Sequence, residues 1–295
     1  MGEKTTIEWC TATWNPWIGC SKVSPGCDSC YMFAGMRRYG RDPEIVQRTK
    51  DQTFFAPLKW KLPQHIFTCS WSDFFHKQAD PWREEAWDVI LRTPQHVYQI
   101  LTKRPGLMVA WAEKHGWPDH VWAGTSVESQ KYVPRLNVLA RVPAKVRFVS
   151  MEPMLGPVDL RKWIELGLGW YGENANGGLE PDRACNWVIA GGESGPGARP
   201  AHPDWFRQVR DQCQAAGVPF FFKQWGTYAS VPKMPSGIGQ LVRAGDVIVA
   251  QSGKTWLIRP DLSCEGEGQG AAMRPLGKKA AGALLDGREW REMPA

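Results

Sequence analysis

Seven short apolar segments, Ile7–Thr13, His65–Trp71, His96–Thr102, Val121–Val127, Lys145–Met151, Asn186–Gly192 and Pro219–Trp225, recur along the chain with helical patterns between them. Each segment has strand length and is rich in Val, Ile, Phe, Trp or Thr. The intervening helical patterns cover Cys27–Tyr39, Pro81–Arg92, Gly106–His115, Gln130–Ala140 and Pro203–Ala216. The last of these opens on Pro203 and Asp204 and closes at Gly217, the expected start and stop signals. Parallel strands need long crossovers, usually helical, so this alternation predicts an α/β fold with a parallel sheet. Seven such strands with short linkers point to a partial or complete TIM-like (β/α) barrel. Beyond residue 226 the rhythm fades: "DVIVAQSGKTWLIRP" reads as a β-hairpin and "KKAAGALLDGREWREMPA" as a closing helix with a tail. The expected division is a barrel domain over 1–228 and a C-terminal extension over 229–295 packed on it. Residues 167–184, rich in Gly and Asn, read as a surface excursion.

Polar residues gather where the apolar segments end. Asn15 follows the first, Ser72 and Asp73 the second, Lys103 and Arg104 the third, Ser126 and Glu128 the fourth. Glu152 and Glu193 follow the fifth and sixth, and Lys223 and Gln224 lie in the seventh. In a parallel barrel these positions surround one mouth, the face on which barrel active sites are built. Two phosphate-loop candidates fail: "GKT" at 253–255 has Ile248 where a P-loop needs glycine, and "GGESGPG" at 191–197 does not fit G-x-G-x-x-G.

The loop after the first strand, "WNPWIGCSKVSPGCDSCYMFAGMRRYG", holds Cys20, Cys27 and Cys30 on the same rim. The other cysteines, at 10, 69, 185, 213 and 264, are scattered singly, which argues for a reducing cytoplasm over a disulfide framework. Three clustered thiols fit a zinc site, with Cys10 or Cys69 as fourth ligand, or an iron–sulfur cluster with one iron left open. No apolar run is long enough to span a bilayer. The formal charge of +6, with Arg37, Arg38, Arg41, Arg48 and Lys50 close behind the cysteines, suits a polyanionic partner. Trp14, Trp17, Trp71 and Trp225, near the predicted rim, offer stacking faces for an unpaired base.

A cysteine trio after the first barrel strand resembles the radical S-adenosylmethionine superfamily, in which such a loop holds a [4Fe-4S] cluster whose open iron binds S-adenosyl-L-methionine. The spacing here is C-x6-C-x2-C, where the superfamily commonly has C-x3-C-x2-C. Ser29 replaces the usual aromatic before the last cysteine, Tyr31 stands just beyond it, and "GGE" follows the sixth strand, not the second. The stretches "TWNPWIGCSKVSPGCDSCY", "TFFAPLKW", "LTKRP", "SVESQ", "SMEPMLGP", "WVIAGGESGPGARP", "PFFFKQWG" and "KKAAGALLDGREW" resemble more closely a phage-encoded, three-cysteine-motif family of unknown function.

The superfamily resemblance implies cluster ligation by Cys20, Cys27 and Cys30. It implies cofactor contacts from Ser72 or Asp73 to the ammonium group, from Ser126 and Glu128 to the ribose, and from Tyr31 and Glu193 nearby. Lys103, Arg104, Arg199, Lys223 and Gln224 would then hold substrate, with His76, Glu152 and Lys223 moving protons. The implied chemistry is hydrogen abstraction by a 5′-deoxyadenosyl radical from nucleic acid or a nucleotide-derived substrate, with a flavodoxin- or ferredoxin-like electron donor. The alternative is a zinc- or cluster-stabilised nucleic-acid-binding protein without turnover, its arginines on phosphates.

Overall fold

The computed structural model describes residues 2–166, 171–173, 179–231, 241–261, 263 and 270–295. Seven strands, β1 (Ala12–Trp14), β2 (His65–Thr68), β3 (Val97–Thr102), β4 (Val121–Ser126), β5 (Arg147–Met151), β6 (Trp187–Gly191) and β7 (Phe220–Gln224), form one parallel sheet in sequence order. A helix lies in each crossover: α1 (Tyr31–Arg38), α2 (Asp80–Leu91), α3 (Pro105–His115), α4 (Arg135–Leu139), α5 (Arg161–Ile164) and α6 (Pro203–Ala216). The sheet is a curled half-barrel. Strands β1 and β7 are its two edges and do not pair with each other.

Each edge is covered by a terminus. Gly2 bridges Thr13 on β1, and the C-terminal run crosses β7, where Phe222 N–H donates to the Trp290 carbonyl at 2.9 Å. Alternation along the strands gives the sheet two apolar faces. Ile66, Tyr98, Ile100, Val149, Val188 and Phe222 pack on the convex side under the helices. Phe67, Trp122, Phe148, Trp187, Ile189 and Phe221 fill the concave side, with Trp9 laid across them. Phe148 fits only because position 124 is glycine: a Cβ there would stand 2.3 Å from the ring. This aromatic floor fills the lower half of the half-barrel and leaves the ends of the strands as its open part.

Several element boundaries differ from expectation. The first segment supplies only Ala12–Trp14 as strand, because Trp9 is drawn onto the concave face. The second ends at Thr68, where Cys69 turns the chain at φ 65°. The helix predicted from Cys27 begins at Tyr31, since Pro25–Cys27 forms a 3-10 turn and Cys30 is an extended N-cap. Pro134 lacks an N–H, and it divides Gln130–Ala140 into a 3-10 turn at Gln130–Tyr132 and α4. By contrast α6 starts and stops where predicted, with Gly217 left-handed at φ 62°.

Four further strands, β8 (Tyr228–Ser230), β9 (Val247–Val249), β10 (Thr255–Leu257) and β11 (Ala271–Pro275), make an antiparallel sheet in the order β8-β11-β9-β10. The predicted hairpin is β9–β10. The closing helix shrinks to Lys278–Ala281, stopped by Gly282 at φ 73°, and the remaining chain becomes the cover of β7. In the excursion, Tyr171–Glu173 pairs with Leu179–Pro181, while residues 167–170 and 174–178 lie outside the described residues, as does Cys264. No described helix is long and apolar enough to cross a membrane.

Candidate functional site

A cavity of about 530 Å³ opens at the C-terminal ends of the strands, within the size range of small-molecule and cofactor pockets. Cys20, Cys27 and Cys30 all line it, as do Tyr31, Ser72, Asp73, Lys103, Arg104 and Ser126. From the far strands come Glu152, Glu193, Lys223 and Gln224. His76, Glu128 and Arg199 do not line it. Sequence reasoning missed Ser21, Ser70 and Ser150, which also reach this wall.

The thiol loop has little regular structure of its own, so side chains from the strand ends hold it. Asp73, buried at 4% exposure, accepts four hydrogen bonds: from Thr102 Oγ1 (2.7 Å), Phe75 N–H (2.9 Å), Lys103 N–H (3.1 Å) and Arg104 Nη1 (2.8 Å). Arg104, so aimed, donates to the Ser21 carbonyl and hydroxyl at 3.0 and 2.9 Å and reaches Cys20 Sγ at 3.8 Å. His76 Nε2 meets the Ser21 hydroxyl at 3.0 Å, while its Nδ1 accepts from Gln78 N–H. That acceptor role places the ring proton on Nε2, directed at Ser21.

A second brace centres on the fully buried Glu128. Its carboxylate accepts from Ser24 Oγ and from Arg135 Nη1 at 3.0 Å. It stands so close to the loop backbone that a Cβ at Gly26 would lie 2.6 Å from it. On the third side Glu193 binds Arg199 through 2.6 and 2.8 Å contacts, and Arg199 donates to the Pro25 carbonyl at 2.8 Å.

These contacts give four of the expected site residues a part in holding the loop. Asp73 accepts four hydrogen bonds from protein donors and Glu128 two, so both hold the thiol loop in place, and Asp73 also lines the cavity. His76 and Arg199 likewise act on the loop from outside the cavity. Arg135 is the brace that sequence reasoning missed, because one arginine in a short helix carries no distinguishing signal.

Two groups remain directed at the cavity itself. Lys103 Nζ rests on Ser126 Oγ at 3.1 Å, with Glu128 at 3.7 Å. Lys223 Nζ lies 2.8 and 2.9 Å from the two Glu152 oxygens, and Gln224 Nε2 donates to the same carboxylate at 3.2 Å. This pair braces nothing in the thiol loop.

All three thiols are free of disulfides. Burial pushes Cys20 up to about 11, with Asp73 adding to the rise and Arg104 opposing it; burial also raises Cys30. Such thiols stay protonated at neutral pH until a cation displaces the proton. Ile18, Met32, Phe33 and Met36 form an apolar cluster behind Cys20 and Cys30. Among the described residues no three His, Cys, Asp or Glu side chains are grouped to hold a metal ion. Cys69 shares the cavity wall, whereas the Cys10 thiol turns to the Ile7 carbonyl.

The tryptophans divide differently from expectation. Trp14, Trp17 and Trp225 are buried, their indole N–H groups donating to the carbonyls of Phe54, Asp73 and Leu284. Trp71 alone of the four lines the cavity, edge-on to Tyr31 with ring centroids 6.4 Å apart. In the basic cluster, Arg48 is taken up by Asp51 and Glu85 and lies over the Phe54 ring.

No curated protein and no solved structure matches the chain. A family described as "Protein of unknown function (DUF5131)" matches residues 4–294, which take in the thiol loop, the half-barrel and the C-terminal sheet, and the chain belongs to that family.

Proposed function

We propose that this chain is an iron–sulfur enzyme of the radical S-adenosylmethionine type, acting in a reducing cytoplasm on nucleic acid or a nucleotide-derived substrate. The observation that carries the reading is the convergence of Cys20, Cys27 and Cys30 on one cavity at the mouth of a parallel half-barrel. The donor set fits a four-iron cluster, in which each thiolate takes its own iron and one iron stays open. A three-thiolate set matches a cluster with one open iron, whereas a closed tetrahedral zinc needs a fourth protein ligand, and the Cys10 thiol is turned to the Ile7 carbonyl. Held by Cys20, Cys27 and Cys30, a four-iron cluster would supply one-electron reduction of the sulfonium of S-adenosyl-L-methionine, with the C5′–S bond cleaved, methionine released, hydrogen abstraction made available and the electron restored by a flavodoxin- or ferredoxin-like donor.

The chain's own residues do the rest. Arg104, Glu128 and Arg199 fix the thiol loop. Ser72, Ser126, Tyr31 and the backbone at Glu193 remain on the cavity wall for the cofactor. Lys103 offers an ammonium to its carboxylate or to a substrate phosphate. Lys223 holds a proton at Nζ against Glu152, poised to protonate or anchor an acidic substrate group.

Anaerobic reconstitution tests the reading. Iron and sulfide should bind the wild-type chain, and adding S-adenosyl-L-methionine should alter the EPR signal of the reduced cluster. Cys20→Ala, Cys27→Ala and Cys30→Ala should each lose cluster uptake, while Cys213→Ala, at a buried position in α6, should retain it. A colourless protein carrying one equivalent of zinc, or an EPR spectrum indifferent to the cofactor, would sink it.

A further inference from the structure

The strongest unassigned feature lies on the outer face of α1. Many arginines elsewhere on the surface end on carboxylates: Arg92 on Asp88, Arg141 on Glu113, Arg161 on Asp159, Arg207 on Asp204 and Asp286. Arg37, Arg38 and Arg41 are exposed, and among the described residues none of the three has a carboxylate partner. Arg37 lies over the Phe33 ring at 6.0 Å, and the neighbouring Asp42 carboxylate is turned onto the Glu44 N–H. Favourable interaction with the helix dipole accounts for cations in the last turn. It does not account for Arg41, which lies beyond the helix, or for Tyr39, exposed at 72%.

The same helix begins at the cavity. Cys30 is its N-cap, and Tyr31, exposed at 55%, both lines the cavity and faces Trp71. From Tyr31 to Arg38 the helix rises roughly 10 Å, a reach of about three phosphates along one strand. Unpaired guanidinium groups interleaved with exposed aromatic rings are the chemistry that holds single-stranded nucleic acid: charge follows the backbone and rings stack on bases.

We infer that the outer face of α1, from Tyr31 to Arg41, docks a single-stranded polynucleotide and delivers one base past Tyr31 and Trp71 into the cavity. This rests on the reading of the cavity as directed at nucleic acid, and it selects a polymer over a free nucleotide. The track binds phosphates outside the cavity, so a mononucleotide would leave Arg37, Arg38 and Arg41 unused.

The test measures fluorescence anisotropy of short labelled single strands, DNA and RNA, on the full-length reconstituted protein. With about three phosphates neutralised, affinity should fall roughly twentyfold between about 50 and 200 mM salt. The triple variant Arg37→Ala/Arg38→Ala/Arg41→Ala should lose at least about tenfold at the lower salt, and its salt dependence should flatten. Replacing the same three with lysine should restore most of the binding, and Arg92→Ala/Arg141→Ala should bind as wild type. The inference is overturned if the alanine variant keeps wild-type affinity and salt slope. It is equally overturned if duplex or an acidic protein binds this face in preference to single strands, or if no single strand binds. Iron content and the EPR response to S-adenosyl-L-methionine are read on the same samples. Absence of strand binding by the wild-type protein with both intact removes this inference alone, whereas their failure removes the iron–sulfur reading.

Discussion

At the scale of single residues, the charges at the strand ends do two kinds of work. Asp73, Glu128 and Glu193 hold cations and loop atoms through hydrogen bonds within the protein. Lys103 and the Lys223–Glu152 pair face the cavity without bracing the loop. Arg104 sits between these roles, since it touches Cys20 Sγ at 3.8 Å and opposes the rise that burial imposes on that thiol. In the metal-free protein a Cys20 pKa of about 11 leaves roughly one thiol in a thousand ionised at pH 8. Iodoacetamide labelling of Cys20, followed by peptide mapping, should therefore quicken about tenfold per pH unit up to that value. Arg104→Ala removes the opposing charge and leaves Asp73 uncompensated, so the pKa should climb and labelling at pH 8 should slow several-fold. Faster labelling in the variant would show that Arg104 acts by occluding the thiol instead.

At the scale of elements, the C-terminal run is a strap between α6 and β7. Asp286 receives Arg207 at 2.7 Å and Arg210 at 2.6 Å, both from α6. The Arg207 hydrogen bond, with Arg210 adding to it, holds the Asp286 carboxyl below the usual carboxylate range against the effect of burial. A depressed folded pKa means the stabilisation is complete above the unfolded value, near 3.9, and is lost as pH falls through the folded one. Asp286 is 39% exposed, so the pair contributes no more than about 1 kcal/mol. The melting temperature of wild type should exceed that of Asp286→Asn at pH 7, and the gap should close below about pH 4. A gap independent of pH would assign the effect to shape and not to charge.

At the scale of the whole molecule, an open seven-stranded half-barrel has two free edges, which are sites for misassembly unless covered. The termini cover them. Trp290 anchors the cover of β7: it is 9% exposed, packs edge-on against Phe220 and donates its indole N–H to the Leu285 carbonyl. Trp290→Ala should cost about 3 kcal/mol, read as a lower urea midpoint with unchanged slope. It should also raise the tendency to aggregate through β7. An unchanged midpoint would mean that the main chain alone covers this edge.

Local patterning carried most of the architecture. Period-two apolar runs, helical spacing and caps such as Pro203 and Gly217 act within a few residues of themselves. The parallel sheet, the positions of its strands and the rim of the cavity are therefore legible in the chain. So is the cysteine loop, because its thiols and turn residues are adjacent. The division of labour among the charged residues was not legible. Asp73 and Glu128 sit at strand ends as cofactor-binding acids would, and their work of holding the loop depends on Arg104 and Arg135 arriving from other elements. The tryptophans follow the same logic: Trp14, Trp17 and Trp225 are spent on distant carbonyls that folding brings to them, while Trp71 is left at the cavity. Periodicity reports which face of an element is apolar, but hydrogen-bond partners separated by tens of residues are chosen only when the sheet curls and its strand ends converge.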